Sequence, residues 1–258
     1  MSELQIKIIH EPDSQKPFVI IDKPAGLPSA PLNENDTNNA FYQAAKLFPD
    51  MLEVQGKKSV EHGLLHRLDT ATAGLMIIAA TQKCYDFLQN EQKENRIIKT
   101  YLAECNLQVF EENLVSSRSE RLPEPVEGQT ITITSYFRAY GPGRKEVRPV
   151  FQEDSEIALK KVGKKVLYTT NITIKKINEE KNTAQVECTI TNGYRHQVRC
   201  HLAWCGLPVI GDIIYNPQAK EDALKNKSTE QMHFCASKIQ FEYPEGDLNS
   251  YDRKDTWT

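Results

Sequence analysis

The sequence contains no apolar run long enough to span a bilayer, and its first residues lack the charged-then-apolar pattern of a signal peptide. It also contains no P-loop, no G-x-G-x-x-G fingerprint and no internal repeat, so nucleotide-cofactor chemistry has no support in the sequence. The formal net charge of −3 argues against a protein that coats DNA irrespective of sequence, because such proteins are usually basic. A local basic groove can still bind RNA. We expect a cytoplasmic protein with no membrane association and no cofactor.

The six cysteines are too few, in 258 residues, for a disulfide scaffold, and none forms a Cys-x-x-Cys pair. We therefore expect free thiols in a reducing compartment. One group, His196, Cys200, His201 and Cys205, suggests a metal site. On a helix, however, the His196/Cys200 pair and the His201/Cys205 pair point about 100° apart, so the four side chains do not converge easily on one ion. Core cysteines and structural histidines are the simpler interpretation, and no metal is expected.

The composition is that of a folded protein with a sizeable core, because 39% of the residues are apolar and 26% are charged. Apolar runs and alternating patterns predict strands, and apolar stripes at helical spacing predict helices. The predicted strands cover residues 18–22, 74–80, 97–105, 131–137, 166–177, 183–190 and 232–244, and the predicted helices cover 38–50, 81–95 and 194–205. Strands that do not alternate strictly with helices favour an α+β fold around a mixed sheet.

The remaining segments are predicted to lack regular structure. Residues 106–128 are acidic and contain Pro and Gly, so they predict a loop, and residues 139–149 predict a basic Gly/Pro-rich turn. The polar tail from Glu245 is expected to be loosely ordered. We expect a single domain over residues 1–258, with its core at about 18–244.

The stretch Leu65–Ala80, LHRLDTATAGLMIIAA, joins a polar half to an uninterrupted apolar half. The apolar half predicts a strand buried on both faces. The polar half places Arg67 and Asp69 two residues apart at the mouth of that strand. Taken alone, Asp69 is most simply a strand-end cap or half of a surface ion pair, because such carboxylates are common. The alternative is a catalytic carboxylate held by a rigid strand.

Five separated stretches of the chain carry the residues of one enzyme family's motifs. They are VIIDKPAGLPSAP (19–31), HRLDTATAGL (66–75), KTYLAE (99–104), NGYRHQVRCHLAWCGLPVIGDIIY (192–215) and MHFCASKIQFEYP (232–244). In the same order they resemble the motifs of the RluA-type pseudouridine synthases: an apolar strand with Asn-Lys-Pro-Ala-Gly, H-R-L-D-x-x-T-S-G-L, Lys-x-Tyr-x-Ala, G-R-x-H-Q-I-R-x-H-L with G-x-P-I-x-G-D-x-x-Y, and a closing Leu-His-Ala strand. A single H-R-L-D is a weak signal, whereas five ordered matches are a strong one.

This resemblance implies a fold, an activity and roles for individual residues. The implied fold is one catalytic domain with a mixed, largely antiparallel central sheet and a long cleft for RNA. The implied activity converts uridine in structured RNA to pseudouridine, by breaking the N-glycosidic bond and rejoining the base through C5. By position in the motifs, Asp69 is the catalytic carboxylate, Tyr101 stacks on the target base and Arg199 pairs with the carboxylate. Arg67 helps to displace and replace the flipped base. The motif residues expected to contact RNA are Lys23, His66, Arg67, Lys99, Arg195 and Gln197.

The chemistry agrees with this interpretation. An isomerisation requires no redox cofactor and no phosphate donor, but it requires an anionic group against the ribose or the base. An ionised Asp69 can act as a nucleophile or as a base toward the sugar, and the sequence leaves both roles open. A neighbouring Arg199 would keep it ionised, because an opposite charge nearby lowers a carboxylate pKa by ~1–3 pH units. Flipping a uridine costs on the order of a few kcal/mol, and stacking on Tyr101 returns ~1–3 kcal/mol.

Choice of RNA is expected to come from the catalytic cleft and from residues 106–165, because the first motif begins near residue 18 and leaves no room for a separate N-terminal RNA-binding module. Basic residues that can supply phosphate contacts are Lys57, Lys58, Arg138, Arg144, Lys145, Arg148, Lys160, Lys161, Lys164 and Lys165. The lysines of 160–165 are equally typical of a solvated face. The expected partner is ribosomal RNA or tRNA, and we expect a monomer.

Three positions depart from the family pattern: Asp22 stands for asparagine, Ala73 for serine, and Tyr194-Arg195 for Arg-Thr. None of them touches the residues implied in catalysis. One alternative function is an inactive RNA-binding or ribosome-assembly factor on the same fold. Another is a metal-dependent hydrolase that uses His66 and Asp69, but the sequence offers no convincing further ligands.

Several single-residue alternatives also remain open. Tyr101 alone is typical of sheet packing, and Arg199 alone is typical of a solvated charge. His66, His196 and His201 are more simply structural hydrogen-bonding groups than acid–base groups.

Overall fold

The computed structural model describes residues 4–107, 125–163, 165–225, 230–244 and 246–254 of the 258-residue chain. The chain divides into two compact units, the first made of Met1–Thr100 with Cys235–Thr258 and the second of Tyr101–Phe234. The expectation of a single domain stays a prediction.

The elements are ten strands and five α-helices within the described residues. The strands are β1 (Lys7–His10), β2 (Phe18–Lys23), β3 (Ala73–Ala79), β4 (Ile98–Asn106), β5 (Thr130–Tyr140), β6 (Glu146–Val150), β7 (Tyr168–Asn178), β8 (Thr183–Ile190), β9 (Phe234–Glu242) and β10 (Leu248–Asp252). The α-helices are α1 (Ala40–Leu47), α2 (Gln82–Lys93), α3 (Glu156–Leu159), α4 (Gln197–Trp204) and α5 (Pro217–Leu224). Short 3₁₀ helices cover Pro49–Glu53, Ser59–Glu61 and Pro142–Arg144.

The first unit is built on a mixed sheet in which β1, β2, β3 and β9 are neighbours in that order and β10 lies beside β9. β3 and β9 run parallel, whereas β1, β2 and β3 pair antiparallel, as do β9 and β10. Every residue of β2 and β3 is buried, as the near-continuous apolar runs predict. Residues from these strands, from α2 and from β9 form one apolar core, which includes Phe18, Ile20, Leu75, Ile77, Leu88 and Phe241.

β3 and β9 approach so closely at Gly74 that a side chain has no space. Gly74 has φ +127°, and a Cβ there would lie 2.3 Å from the carbonyl oxygen of Ala236. Glycine alone combines this backbone conformation with this close approach. The contact fixes the start of β3, directly after the polar loop that carries Asp69.

The second unit is a sheet in which β4, β8, β7, β5 and β6 are neighbours in that order. β8, β7, β5 and β6 pair antiparallel. Helix α4 contributes Cys200 to a cluster with Phe137, Val147 and Tyr168, which places the buried face of the helix against the hairpin of β5 and β6. This packing holds the late sequence motif on a regular element.

The structure confirms the α+β class and most of the predicted elements. The Thr81 side chain caps α2 by accepting a hydrogen bond from the Cys84 N–H at 3.3 Å, as its position before the helical stripe predicts. β7 and β8 form the predicted hairpin around residues 178–183. The alternating face of β8 is buried at Ala184, Val186, Cys188 and Ile190.

Some boundaries and elements were predicted wrongly. Residues 139–149 are not one turn: Glu146–Val150 is a strand, because β5 and β6 pair up to Tyr140 and Glu146. The tail is not loosely ordered throughout, because β10 pairs with β9. The late helix begins at Gln197, since His196 has φ 57° and cannot continue a helix backward.

The predicted helix 38–50 ends at Leu47, and Pro49 starts a 3₁₀ helix. The sequence interpretation omitted β1, α3 and α5. The predicted loop 106–128 lies largely outside the described residues, which omit 108–124, and Lys164 also lies outside them.

All six cysteines are buried free thiols. Over the described parts of the chain, no helix is both long and apolar enough to cross a membrane.

Candidate active site

Asp69 lies on an irregular loop, residues 66–72, that leads into β3. Backbone hydrogen bonds shape this loop: the Thr72 N–H donates to the Asp69 carbonyl at 2.9 Å, and the Gly26 N–H donates to the Thr70 carbonyl at 2.7 Å. The Ser29 hydroxyl donates to the Leu68 carbonyl at 2.7 Å and accepts from the Leu68 N–H at 3.0 Å. The Asp69 backbone is therefore fixed from both sides by the turn that follows β2.

The ammonium group of Lys23 fastens this turn to the loop. Lys23 is fully buried, and its Nζ donates to the carbonyls of Leu27 at 2.7 Å, Pro24 at 2.9 Å and Thr70 at 3.3 Å. Burial lowers the pKa of Lys23 to about 8, although the carboxylates of Asp69 and Asp22 act in the opposite direction. These contacts give Lys23 a positioning role. Its predicted contact with RNA stays a prediction.

Asp22, one of the departures from the family pattern, has a partner in the C-terminal segment. The Arg253 Nε donates to both carboxylate oxygens of Asp22 at 2.9 Å. Both side chains are buried, at 7% and 4% exposure. The acidic residue thus fits this position because a guanidinium group reaches it from the end of the chain.

His66 and Lys99 lie in the same unit, and both have pKa values shifted by burial. The His66 Nε2 accepts a hydrogen bond from the Ile77 N–H at 3.3 Å, and burial, together with the charge of Lys99, lowers its pKa to about 3. His66 is therefore neutral at physiological pH and acts as a structural acceptor. Burial, together with the charge of Lys57, lowers the pKa of Lys99 to about 8.

Arg67 is directed to solvent and is 55% exposed. Its Nη1 donates to Glu61 Oε1 at 3.1 Å, and the Lys58 Nζ lies 3.2 Å from the same oxygen. Glu61 is only 13% exposed, so two cations cover this carboxylate. The ion-pair partner of Arg67 is thus Glu61 and not the neighbouring Asp69.

Arg199 lies on α4 in the second unit and is buried at 4% exposure. Its Nε donates to Asp212 Oδ2 and its Nη2 to Asp212 Oδ1, both at 2.8 Å. Asp212 Oδ1 also accepts from the N–H groups of Ile214 at 2.9 Å and Tyr215 at 3.2 Å. Such a two-point contact fixes the guanidinium plane. The pairing of Arg199 with Asp69 stays a prediction.

Tyr101 lies on β4 and is buried at 8% exposure. The ring stacks on Phe234, with centroids 5.2 Å apart and planes 6° from parallel. A ring held this way can present a flat surface to a base, as its predicted role requires.

Arg195 and Gln197 hold neighbouring backbone. The Arg195 Nη2 donates to the carbonyls of Arg144 at 2.6 Å and Glu146 at 3.2 Å, although the residue is exposed. Gln197 is 2% exposed and donates to the Thr169 carbonyl and the Thr170 hydroxyl, both at 3.0 Å. These contacts are structural, and RNA contact by either residue stays a prediction.

The histidines and cysteines of the late motif make separate contacts. The His196 Nδ1 lies 3.0 Å from the Tyr215 hydroxyl, and the His201 ring lies 2.9 Å from the hydroxyls of both Ser135 and Thr170. The Cys200 thiol donates to the Val147 carbonyl at 3.4 Å. Across the described residues, no three His, Cys, Asp or Glu side chains form a group that could hold a metal ion.

Comparison with known proteins identifies the family of this chain. The family model for RNA pseudouridylate synthase matches residues 17–204. The chain belongs to this family. It is 26% identical over 211 residues to the "tRNA pseudouridine(32) synthase, mitochondrial" of Saccharomyces cerevisiae, a match that covers 82% of this chain and 37% of that protein. It is 23% identical over 257 residues to "Ribosomal large subunit pseudouridine synthase D" of Neisseria meningitidis serogroup B, which covers 96% of this chain and 58% of that protein.

The chain therefore spans between 37% and 58% of the length of these two curated relatives. Its fold is similar to the solved structure "Human RNA Pseudouridylate Synthase Domain Containing 1", with a TM-score of 0.64 at 18% identity over 99% of this chain and 85% of that one. These matches confirm the RluA-type resemblance and the pseudouridine synthase fold.

Sequence reasoning missed Asp212, the carboxylate partner of Arg199. It lies in the quoted stretch GLPVIGDIIY, where Gly211 before it has φ +76°. A buried arginine on α4 requires a carboxylate partner, since an unpaired buried charge is costly. That requirement, together with the Gly-Asp turn thirteen residues after Arg199, is the signal that could have identified it.

Proposed function

We propose that this chain isomerises specific uridines in RNA to pseudouridine, with Asp69 as the catalytic carboxylate. The observation that carries the proposal is the bracing of the Asp69 loop by the buried Lys23 ammonium group and by Ser29. A catalytic group must be held close to its productive geometry by supporting contacts, and a surface ion pair needs no such support.

The reaction breaks the bond between N1 of the base and C1′ of the ribose and forms a bond between C5 and C1′. The C5 proton is lost and a proton is returned to N1, so no electrons, phosphate or water are consumed. Asp69 attacks C1′ or removes a proton from the sugar to give a glycal-like intermediate, and both routes remain within the proposal.

The other proposed roles concern the flipped base. Arg67 enters the space that the uridine leaves, since a planar guanidinium can stack and contact phosphate together. Its exposed position and weakly held ion pair with Glu61 support such a movement. Tyr101 stacks on the uridine with its ring backed by Phe234. Arg199, held by Asp212, is proposed to keep Asp69 ionised.

The proposed substrates are ribosomal RNA and tRNA, because the yeast relative is named for tRNA and the Neisseria relative for the ribosomal large subunit. We also propose that the protein acts in the cytoplasm as a monomer. Transcriptome-wide pseudouridine mapping in cells with and without the gene identifies the position, and a site that disappears without the gene is the expected result.

The decisive experiment measures pseudouridine formed by purified protein in RNA from cells that lack it. Asp69→Asn is expected to keep folding and RNA affinity and to abolish product, because the amide neither attacks nor accepts a proton. Asp50→Asn, at an exposed aspartate of the same unit, serves as the matched control and should retain turnover. Product formation by Asp69→Asn at the parent rate would overturn the mechanism, and RNA binding without turnover by the parent would favour the inactive RNA-binding factor.

A further inference from the structure

The hairpin of β5 and β6 carries two arginines directly opposite one another. In the antiparallel register Arg138 pairs with Arg148, and Tyr140 pairs with Glu146. The guanidinium carbon of Arg148 lies 3.4 Å from the centroid of the Tyr140 ring, and that of Arg138 lies 5.1 Å from it. Both guanidinium groups therefore lie against one half-buried aromatic ring.

This arrangement is unfavourable for the protein on its own. Like charges directly opposite in an antiparallel pair destabilise the pairing. Among the described residues, no carboxylate forms an ion pair with either guanidinium group, and the Tyr140 ring is the contact that offsets their repulsion. An anion bound between the two arginines would remove the cost.

The tip of the hairpin adds further positive charge. Gly141 and Gly143 have φ of +75° and +65°, and Arg144 has φ 54°, so the tip is a tight left-handed turn. Arg144 and Lys145 are exposed there, and the one acidic residue, Glu146, lies 3.5 Å from the Lys220 ammonium group. The net charge of the hairpin is therefore strongly positive on a chain of formal charge −3.

We infer that residues Arg138–Arg148, here called the basic hairpin, bind the phosphate backbone of the RNA substrate. The guanidinium fork matches phosphate oxygens in two-point contacts, and the Tyr140 ring holds the two forks beside each other. The inference rests on the proposed function for the identity of the polyanion. It assigns the basic hairpin to affinity and not to the isomerisation step.

The test uses the full chain with unfractionated tRNA as the probe and measures affinity over a salt series from about 50 to 200 mM. The variant Arg138→Gln/Arg148→Gln is expected to bind more weakly at low salt. The slope of log affinity against log salt should become shallower by about 1.4 to 1.8, the value for two lost phosphate contacts. Its thermal unfolding midpoint is expected to be no lower than that of the parent, because the like-charge repulsion is gone.

Two controls separate this inference from a general charge effect. Lys176→Gln/Lys181→Gln removes the same charge from the β7–β8 hairpin and should keep the parent affinity and slope. Tyr140→Leu should weaken tRNA binding, whereas Tyr140→Phe, which retains the ring, should keep the affinity of the parent. Equal slopes for the two double variants would overturn the RNA assignment. So would arginine variants that keep their affinity for tRNA and lose affinity for anionic lipid vesicles.

The proposed function is read out separately from these binding data. If the parent forms no pseudouridine but the arginine variants still lose tRNA affinity selectively, the basic hairpin stands and the proposed reaction fails. If the parent forms pseudouridine and the arginine variants bind as the lysine control does, the reaction stands and the basic hairpin inference is overturned.

Discussion

At the scale of single residues, the buried ammonium group of Lys23 determines how the Asp69 loop is held. A charged amine at zero exposure is costly unless its donors are satisfied, and three carbonyl oxygens satisfy them here. Two of those carbonyls belong to the turn after β2, and the third belongs to Thr70, next to Asp69. The lysine therefore links two sequence motifs that are nearly fifty residues apart.

The pKa of Lys23 predicts a specific pH dependence of stability. Because the pKa is about 8 in the folded protein and 10.5 as its ordinary value, the unfolded chain binds more protons between these pH values. The free energy of unfolding of the parent should therefore rise with pH in this window relative to Lys23→Met, by up to about 1.4 kcal/mol per pH unit. Urea unfolding of both proteins at pH 7, 8, 9 and 10 measures the difference, and parallel curves would contradict the assigned burial.

The ion pair of Arg67 with Glu61 predicts an effect on RNA affinity. Glu61→Gln should release Arg67 and tighten RNA binding by about 1.5- to 5-fold, since exposed pairs contribute ~0.2–1 kcal/mol. The gain should disappear in an Arg67→Gln/Lys58→Gln background, because both cations that contact Glu61 are then absent. Glu179→Gln, at an exposed carboxylate of the β7–β8 turn, controls for the loss of one negative charge. A gain that persists without Arg67 and Lys58 would show a general charge effect instead.

At the scale of elements, the end of β2 depends on the segment that follows β10. Asp22 is the residue before Lys23 and pairs with Arg253, whose N–H donates to the Ser237 carbonyl of β9 at 2.7 Å. The end of the chain is therefore joined to the strand that carries Lys23.

This pairing predicts an asymmetric mutational cycle. Arg253→Gln should lower the free energy of unfolding by ~3–5 kcal/mol, because it leaves a buried carboxylate without its guanidinium. The double variant Asp22→Asn/Arg253→Gln should recover most of that loss, since no buried charge remains unpaired. Denaturant unfolding of the four proteins measures the coupling. Additive losses would show that the two side chains act independently.

The sequence predicted those elements whose own residues show a local hydrophobic or capping pattern. The apolar runs of β2 and β3, the alternation of β8 and the Thr81 cap of α2 are local signals. β1 and β10 are short strands of mixed burial, and their existence depends on neighbours far away in the chain. The contact of Lys23 with Thr70 and the pairing of Asp22 with Arg253 likewise arise only when distant segments meet, so no local pattern encodes them.

At the scale of the whole molecule, motif order identified the family where single residues did not. Asp69, Tyr101 and Arg199 each have an ordinary structural interpretation, and all three lie within the range 17–204 that the family model matches. Their shared catalytic role stays a proposal. What the sequence could not supply was the support that comes from distant segments, such as Phe234 beside Tyr101.

The proposed reaction predicts that turnover by the whole protein is independent of added metal. The isomerisation exchanges no electrons and no phosphate, so EDTA should leave the rate of pseudouridine formation unchanged. RNA refolded in monovalent salt keeps the chelator from acting through the substrate. Loss of pseudouridine formation in EDTA with recovery on adding zinc would show that the isomerisation requires a metal and would overturn this mechanism.

Gly74 also limits which amino-acid substitutions the gene can carry at this position. Every missense change of a glycine codon adds a Cβ, and there the new atom would meet the Ala236 carbonyl at 2.3 Å. β9 would have to move away from the strand that follows the Asp69 loop. Position 74 should therefore tolerate no missense allele in a saturation library selected for folded protein, whereas Gly163, with open space around it and no positive φ, should accept several.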